Sequence, residues 1–347
     1  MYSKYSTINT SKKAQDATKE IIMNTRIKEI ESKFTAFQKE SYPKEEMLTE
    51  MFTFSREMVG ITFNSNHADA GSLKTYDVRN HLEKVNEDCD HVADELFEKF
   101  DRQTHQFNDW FRKELSGSKG EYRALKSVET AHRKMRILKN IELEHDGHKA
   151  EIDLIVITSN AVFMLEVKNT SKQIHINENG NYNRIGYDEK VNTECNIGEK
   201  MNERDYLLRK VLKNAGYPEL PICSLVVFTN NDANVTNDYR YITISYLSQL
   251  PHIIDEYNST YVLSDKGMAK IENAILEEKC NNLYCPEMDM QEYKETFAQL
   301  LATLETAKSK KAEEEQEILA AKKKYAASNI VLRILHAATL AVIKIIK

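Results

Sequence analysis

The chain predicts an α/β fold, a mixed β-sheet flanked by helical N- and C-terminal regions. Three observations carry that expectation. Apolar residues recur at helical spacing over about 11–115 and again from about 265 onward. Between those regions, two runs rich in Val, Ile and Phe, 152–158 and 161–167, are separated by the polar pair Ser159-Asn160 and read as a β-hairpin. Further on, Cys223–Thr229 is a continuous apolar run, as expected of a strand covered on both faces.

Taken in order, the first segment, 1–115, is a helical bundle or coiled coil. Met23, Ile27, Ile30, Phe34 and Phe37 form one stripe, and Val78, Leu82, Val85, Cys89, Val92 and Leu96 form a second. The turn-rich Asn64–Ser72 parts them, and Cys89 falls on the core seam. Ser116-Gly-Ser-Lys-Gly120 reads as a break and opens the central segment, 116–260. There, Glu121–Leu138 is expected to be a helix with Leu125, Val128 and Met135 towards the core. The hairpin follows, then a strand near Gln173–Asn177, a turn at Asn177–Asn183 and a helix at Ile197–Asn214. The strand Cys223–Thr229, a strand near Tyr241–Ile244 and a helix at Ser248–Tyr257 complete it.

The third segment, 261–347, is helical again. Tyr293, Phe297, Leu300 and Leu304 keep core spacing, whereas Lys308–Lys324 is a charged run without an apolar stripe, a solvated helix or tether. Asn329–Lys347 sets Val331, Ile334, Leu335, Ala338, Val342, Ile345 and Ile346 against Arg333, His336, Lys344 and Lys347, a basic amphipathic helix. Packing on the N-terminal helices is the plain reading of this face, and a membrane surface or a protein partner the other. Its uncharged stretch is far short of the ~20 residues that span a bilayer.

Composition narrows the class. Charged residues make up 29% of the chain, and only ten Gly and five Pro interrupt it, which suits a soluble protein with long helices. The net charge of -6 excludes a uniformly basic nucleic-acid coat. Residues 117–150 nevertheless carry Lys119, Arg123, Lys126, Arg133, Lys134, Arg136, Lys139 and Lys149 against only five acidic residues. The five cysteines (Cys89, Cys195, Cys223, Cys280 and Cys285) form no C-x-x-C pair, and the polar N-terminus shows no secretory h-region. A reduced, cytoplasmic setting is expected. No GxGxxG, phosphate-binding P-loop or G-x-S-x-G elbow is present, so the chain carries no evident ATPase motor or serine-hydrolase nucleophile.

The hairpin concentrates the chemistry. With Ser159 and Asn160 as a two-residue turn, Asp153 falls opposite Glu166 and Glu151 opposite Lys168. Strand side chains alternate, so all four share one face with the apolar Ile155, Ile157, Val162 and Met164. A solvated face with two cross-strand ion pairs would alternate charges with Thr, Ser or Gln along its length. Charges gathered at one end of an otherwise apolar face instead suggest a site at the rim of the core. Two carboxylates and a lysine there can hold a divalent cation and position a water, which points to phosphodiester hydrolysis. Glu151 is as well explained by a structural ion pair with Lys168 as by a catalytic role. His145 and His148, in Glu-His-Asp-Gly-His, read as exposed turn residues.

Gly117-x-x-Gly120-Glu121, Glu151-Ile-Asp153 and Val162-Phe163-x-x-Glu166-Val167-Lys168-Asn169 together resemble the NERD (nuclease-related) domain of the PD-(D/E)xK nuclease superfamily. The resemblance covers about 117–260 and neither flank. It implies a mixed-sheet PD-(D/E)xK nuclease-like core with Glu121, Asp153, Glu166 and Lys168 as catalytic residues. Asp153 and Glu166 would bind Mg²⁺ or Mn²⁺, Glu121 would reach the ion from the side, and the Val167 carbonyl is a further candidate ligand. Lys168 would hold the attacking water and stabilise charge on the phosphate. Three positions depart from the pattern. Ile152 replaces Pro before the Asp, and Tyr182 stands where Trp is expected. Asn196-Ile-Gly-Glu199-Lys200 replaces N-P-x-x-Gln, leaving either Glu199 or Lys200 to face the site.

The expectation is a metal-dependent nuclease acting on nucleic acid, DNA before RNA, as an endonuclease, in a setting such as defence against foreign DNA. Phosphate contacts would come from the basic residues of 119–139. The helical regions would serve homo-oligomerisation or the recruitment of a partner. The alternatives are a catalytically silent nucleic-acid-binding protein and a helical scaffold at a membrane surface.

Overall fold

A computed structural model describes residues 23–37, 44–59, 78–186, 190–280 and 287–346, with side chains as far as Ile330. The turn-rich Asn64–Ser72, Cys285 and the amphipathic side chains of 331–347 lie outside the described residues. Two compact units divide the chain. One takes Met1–Glu40, Glu50–Asp109 and Pro286–Lys347, the other Ser41–Thr49 and Trp110–Cys285. The second unit thus runs past the expected boundary at 260 and recruits a short piece from the N-terminal segment.

The first unit is helical: α1 (23–37), most of α2 (Lys44–Val59), α3 (Val78–Asp88), the start of α4 (Asp94–Val128) and α8 (Met290–Ile346). Its core is aromatic. Phe34 meets Tyr293 edge-on at 4.7 Å and Phe54 meets Phe107 at 4.8 Å. The expected stripe of Tyr293, Phe297, Leu300 and Leu304 is buried throughout. The second N-terminal stripe is not one helix. Asp90 and His91 take φ of 58° and 60°, which ends α3, and Val92 is left exposed. The Asn86 carboxamide bridges this break, accepting from the Ala93 amide and donating to Asp94. Residues 312–330 of α8 are exposed, as expected of the charged run.

The second unit is built on a five-stranded sheet in the order β1-β2-β3-β7-β9: β1 Met135–His145, β2 His148–Thr158, β3 Val162–Lys168, β7 Ile222–Phe228 and β9 Thr243–Tyr246. The β2–β3 register is the expected one, with Ile157 opposite Val162 and Leu154 opposite Leu165. On one face Ile155, Ile157, Val162 and Met164 pack with α5 (Ile197–Asn214) and α7 (Asp265–Glu278). On the other, Leu154, Val156, Phe163 and Leu165 pack with the end of α4 and with α6 (Leu250–Glu256). β7 contributes to both faces, Val226 and Phe228 to the first, Leu225 and Val227 to the second.

Two expectations fail here. The chain does not break at Ser116–Gly120, because α4 runs through it to Val128. A glycine costs about 1 kcal/mol in a helix, but Gly120 sits where α4 crosses the ends of β3 and β7. A Cβ there would lie 2.8 Å from Asn169 Cβ and 3.2 Å from Thr229 Oγ1. Nor does a helix reach Leu138: α4 ends at Val128, and Met135 begins β1. Ile137 packs on the α4/α6 face and Ile141 and Leu143 on the α5/α7 face, in a strand closed onto β2 by Asp146-Gly147, whose φ of 54° and 81° suit a type I′ turn. A second sheet, ordered β6-β5-β4-β8, joins β4 (Gln173–Ile176), β5 (Asn181–Ile185), β6 (Val191–Asn196) and β8 (Asn234–Asn237). Of these only β4 was expected.

Candidate active site

The regular β2–β3 pairing stops at Leu154 and Leu165, where the sheet's apolar interior ends. Beyond it the strands splay enough for the Asp153 carboxylate to enter the gap. Its Oδ2 accepts the Val167 amide at 2.7 Å. Glu166 keeps the face expected for it and is only 4% exposed. A buried carboxylate needs compensating charge, and two cations supply it. Lys168 Nζ donates to Oε1 at 2.7 Å, and Arg204 Nη2 lies 2.9 Å from Oε2. Arg204 comes from the second turn of α5 and is fixed from behind, its Nε donating to the Glu151 carbonyl at 2.6 Å. Lys168 in turn lies 6.0 Å from the centre of the Tyr182 ring, which stacks on Phe228.

These environments pull the two acids apart. Burial pushes Asp153 up, the charge of Glu166 adds to that, and its carboxyl reaches about 8 despite the Val167 amide. Burial acts on Glu166 as well, but the charges of Lys168 and Arg204 outweigh it and hold the carboxyl below its usual value. The Lys200 charge acts on Glu166 in the same sense. Glu199, the other candidate on α5, is exposed, and its amide is spent on the Asn196 cap.

Of the expected site residues, Asp153, Glu166 and Lys168 are brought together. Glu121 approaches from α4 and lines a cleft of about 100 Å³ with Asp153. Glu151 does not pair with Lys168 as expected. Its partner is Lys44, 3.7 Å away, because Glu166 sits next to the ammonium on the same strand. Sequence reasoning missed both Arg204 and Lys44. Neither stands in a motif, and each meets its acid only through the fold. The basic cluster of 119–139 is thinner than its count suggests. Arg133 is bound to Asn160, Tyr257 and Asp255, and Arg136 pairs with Glu272. Lys126, Lys134 and Lys139 also have acidic partners, whereas Lys119 and Arg123 are exposed and, among the described residues, unpaired. His148 stays exposed and touches Glu203, as expected of a turn residue.

Asp153 in β2, the buried Glu166 and Lys168 two residues on, with Gly120 of α4 packed against Val167 and Asn169, lie within the segment 116–229, which matches the family model of the nuclease-related domain. That third of the chain is a nuclease-related domain. No curated protein and no solved structure matches the chain. The domain's function is accordingly nuclease-related, and its core is the mixed α/β architecture described above.

Members of this superfamily generally use divalent metals, so the donor set of the nuclease-related domain is tested for fit. Glu166 Oε2 is buried, and the Arg204 contact lacks hydrogen-bond alignment, which leaves this oxygen an unused acceptor. Asp153 holds a proton that a cation would displace. Hard carboxylate oxygens suit Mg²⁺ or Mn²⁺. Among the described residues no three or more His, Cys, Asp or Glu are gathered as a ready metal cage. The neighbouring Asp153 and Glu166 carboxyls suit an ion that takes few protein ligands and keeps several waters, as Mg²⁺ does. Among the described residues no helix is long and apolar enough to cross a membrane.

Proposed function

We propose that the nuclease-related domain is a divalent-metal-dependent phosphodiesterase that cuts DNA as an endonuclease. The observation that carries this reading is Glu166, buried yet held ionised, beside a raised Asp153 and in contact with Lys168. Asp153 and Glu166 would hold Mg²⁺ or Mn²⁺, with Glu121 able to approach from the cleft side. The bound ion supplies Lewis-acid polarisation of the phosphate and a water of lowered pKa.

The chain's own residues do the rest. Arg204 fixes the Glu166 carboxylate in its charged form and in one orientation. Lys168 shares Glu166 and carries its positive charge at the strand end, where it opposes negative charge building on a phosphate oxygen. Its place against Tyr182 limits the water around that ammonium and strengthens its field. Lys119 and Arg123, on the exposed side of α4, offer sequence-independent phosphate contacts, so binding should weaken steeply with salt.

The test is incubation of the purified full chain with supercoiled plasmid under Mg²⁺, Mn²⁺ or EDTA, with Asp153→Ala and Lys168→Ala alongside. Nicking that needs the metal and is lost in both variants supports the reading. Cutting that survives both substitutions sinks it.

A further inference from the structure

The cleft beside Asp153 is filled by a residue from outside the nuclease-related segment. Lys44, the first residue of α2, belongs to the same compact unit as the sheet although it precedes Glu121 by 77 positions. Its ammonium donates to Glu121 Oε1 at 2.9 Å and lies 3.7 Å from Glu151 Oε1, with the side chain only 17% exposed. Burial works against its charge, but the fields of Glu151 and Glu121 prevail and keep it firmly protonated. Glu45 and Leu48, one turn of the same helix, complete that wall of the cleft opposite Tyr122 and Asp153. A second tie joins Glu45 to Lys139 at 2.9 Å, between side chains that are 76% and 49% exposed.

A cation already stands where a divalent ion would reach Glu121 and Asp153. Two positive charges within a few ångströms repel strongly in a partly desolvated cleft, so Lys44 and the ion compete for Glu121 and for the cleft that Asp153 lines. The ammonium is tethered and always present, whereas the ion must come from solution. The second tie, exposed and screened, is weak, so the turn is held but releasable. We propose that Lys44 is a built-in competitor of the divalent metal, and that the first turn of α2 is an autoinhibitory plug over the acidic cleft. This inference rests on the metal-dependent reading above.

The experiment measures Mn²⁺ binding to the full chain, following free Mn²⁺ by electron paramagnetic resonance, with no nucleic acid present. Lys44→Met, which keeps the length and loses the charge, should bind Mn²⁺ about tenfold more tightly than the unaltered chain. Lys44→Arg, which keeps the charge, should stay near the starting affinity. Equal or weaker binding by a folded Lys44→Met overturns the plug and leaves the nuclease reading standing. Should Lys44→Met not fold, Lys139→Ala loosens the turn without touching Lys44 or any proposed ligand. It is expected to tighten binding about threefold, and no change there overturns the plug equally. Absence of Mn²⁺ binding by every protein sinks the plug and the metal-dependent reading together.

Discussion

At one end of the β2–β3 ribbon Ile155, Ile157, Val162 and Met164 are fully buried on a single face. At the other end that face carries Glu166 and Lys168, turned towards Arg204 and Tyr182, whereas Asp153, expected beside them, lines the cleft with Glu121 and reaches across to the Val167 amide. Burying each of those apolar side chains stabilises the fold by about 1.5–3 kcal/mol. The charged end runs the other way: Glu166 needs two cations to be tolerated, and Asp153 stays raised even so. A ribbon end that could have continued as core instead holds two acids whose charges repel. Stability gives no reason for that arrangement, and the proposed metal-dependent reading does.

Substitutions at the two ends should therefore separate folding from chemistry. The largest effect is expected from Glu166→Gln at the charged end, a fall of about 10³-fold in plasmid nicking at saturating metal, with the folded state retained by circular dichroism. If nicking persists, the ribbon's charged end is not the site. At the apolar end Met164→Ala should cost about 3 kcal/mol in urea unfolding, while nicking per folded molecule changes little. Arg204→Met leaves Glu166 with Lys168 alone and should cost about 2 kcal/mol, less than breaking an isolated buried pair. An unchanged unfolding midpoint would show that Lys168 suffices.

Two smaller effects depend on pH. Asp153 keeps its proton in the folded chain up to about 8 but loses it near pH 4 once unfolded. The folded state thus binds the extra proton across that window, and its stability falls as pH rises through it. Asp153→Asn removes the penalty, so in EDTA it should melt about 2–4 °C higher at pH 8 and show no gain near pH 4. Asp255, far from the ribbon's charged end, has the opposite sign. The amides of His132 and Arg133 hold its carboxyl below the usual value, giving stability that is present above pH ~4 and fades as the pH falls further. Asp255→Asn should lower the melting point by no more than about 2 °C at neutral pH, with the gap closing in acid. A gap that persists unchanged below pH 3 would mean the carboxylate is not the cause.

The ribbon was legible because strict alternation and a two-residue turn leave one register that buries Ile155 and Met164 together. Helix α5 was legible from its apolar period and its Asn196 cap. β1 was not, since Arg136, Lys139 and Asn140 blur its alternation, although the Asp146-Gly147 turn was a sufficient signal. The small second sheet escaped because β5, β6 and β8 are short and largely polar. Within the site, Asp153, Glu166 and Lys168 sit close together in sequence or across one turn. Arg204 and Lys44 reach it from 38 and 77 positions away, a separation that only tertiary packing closes.

The parallel pairing of β3 with β7 places Glu166 beside Val226, and Arg204 arrives on the helix between those strands. A chain emerging from the ribosome therefore completes the ribbon long before it can settle the acid at its end. Arg204 emerges before β7 does, and Glu166 lacks its neighbouring strand until about residue 228 is free of the exit tunnel. A product of premature termination before β7 would expose that edge of β3. Completion of this end of the sheet and synthesis through β7 are coupled by topology.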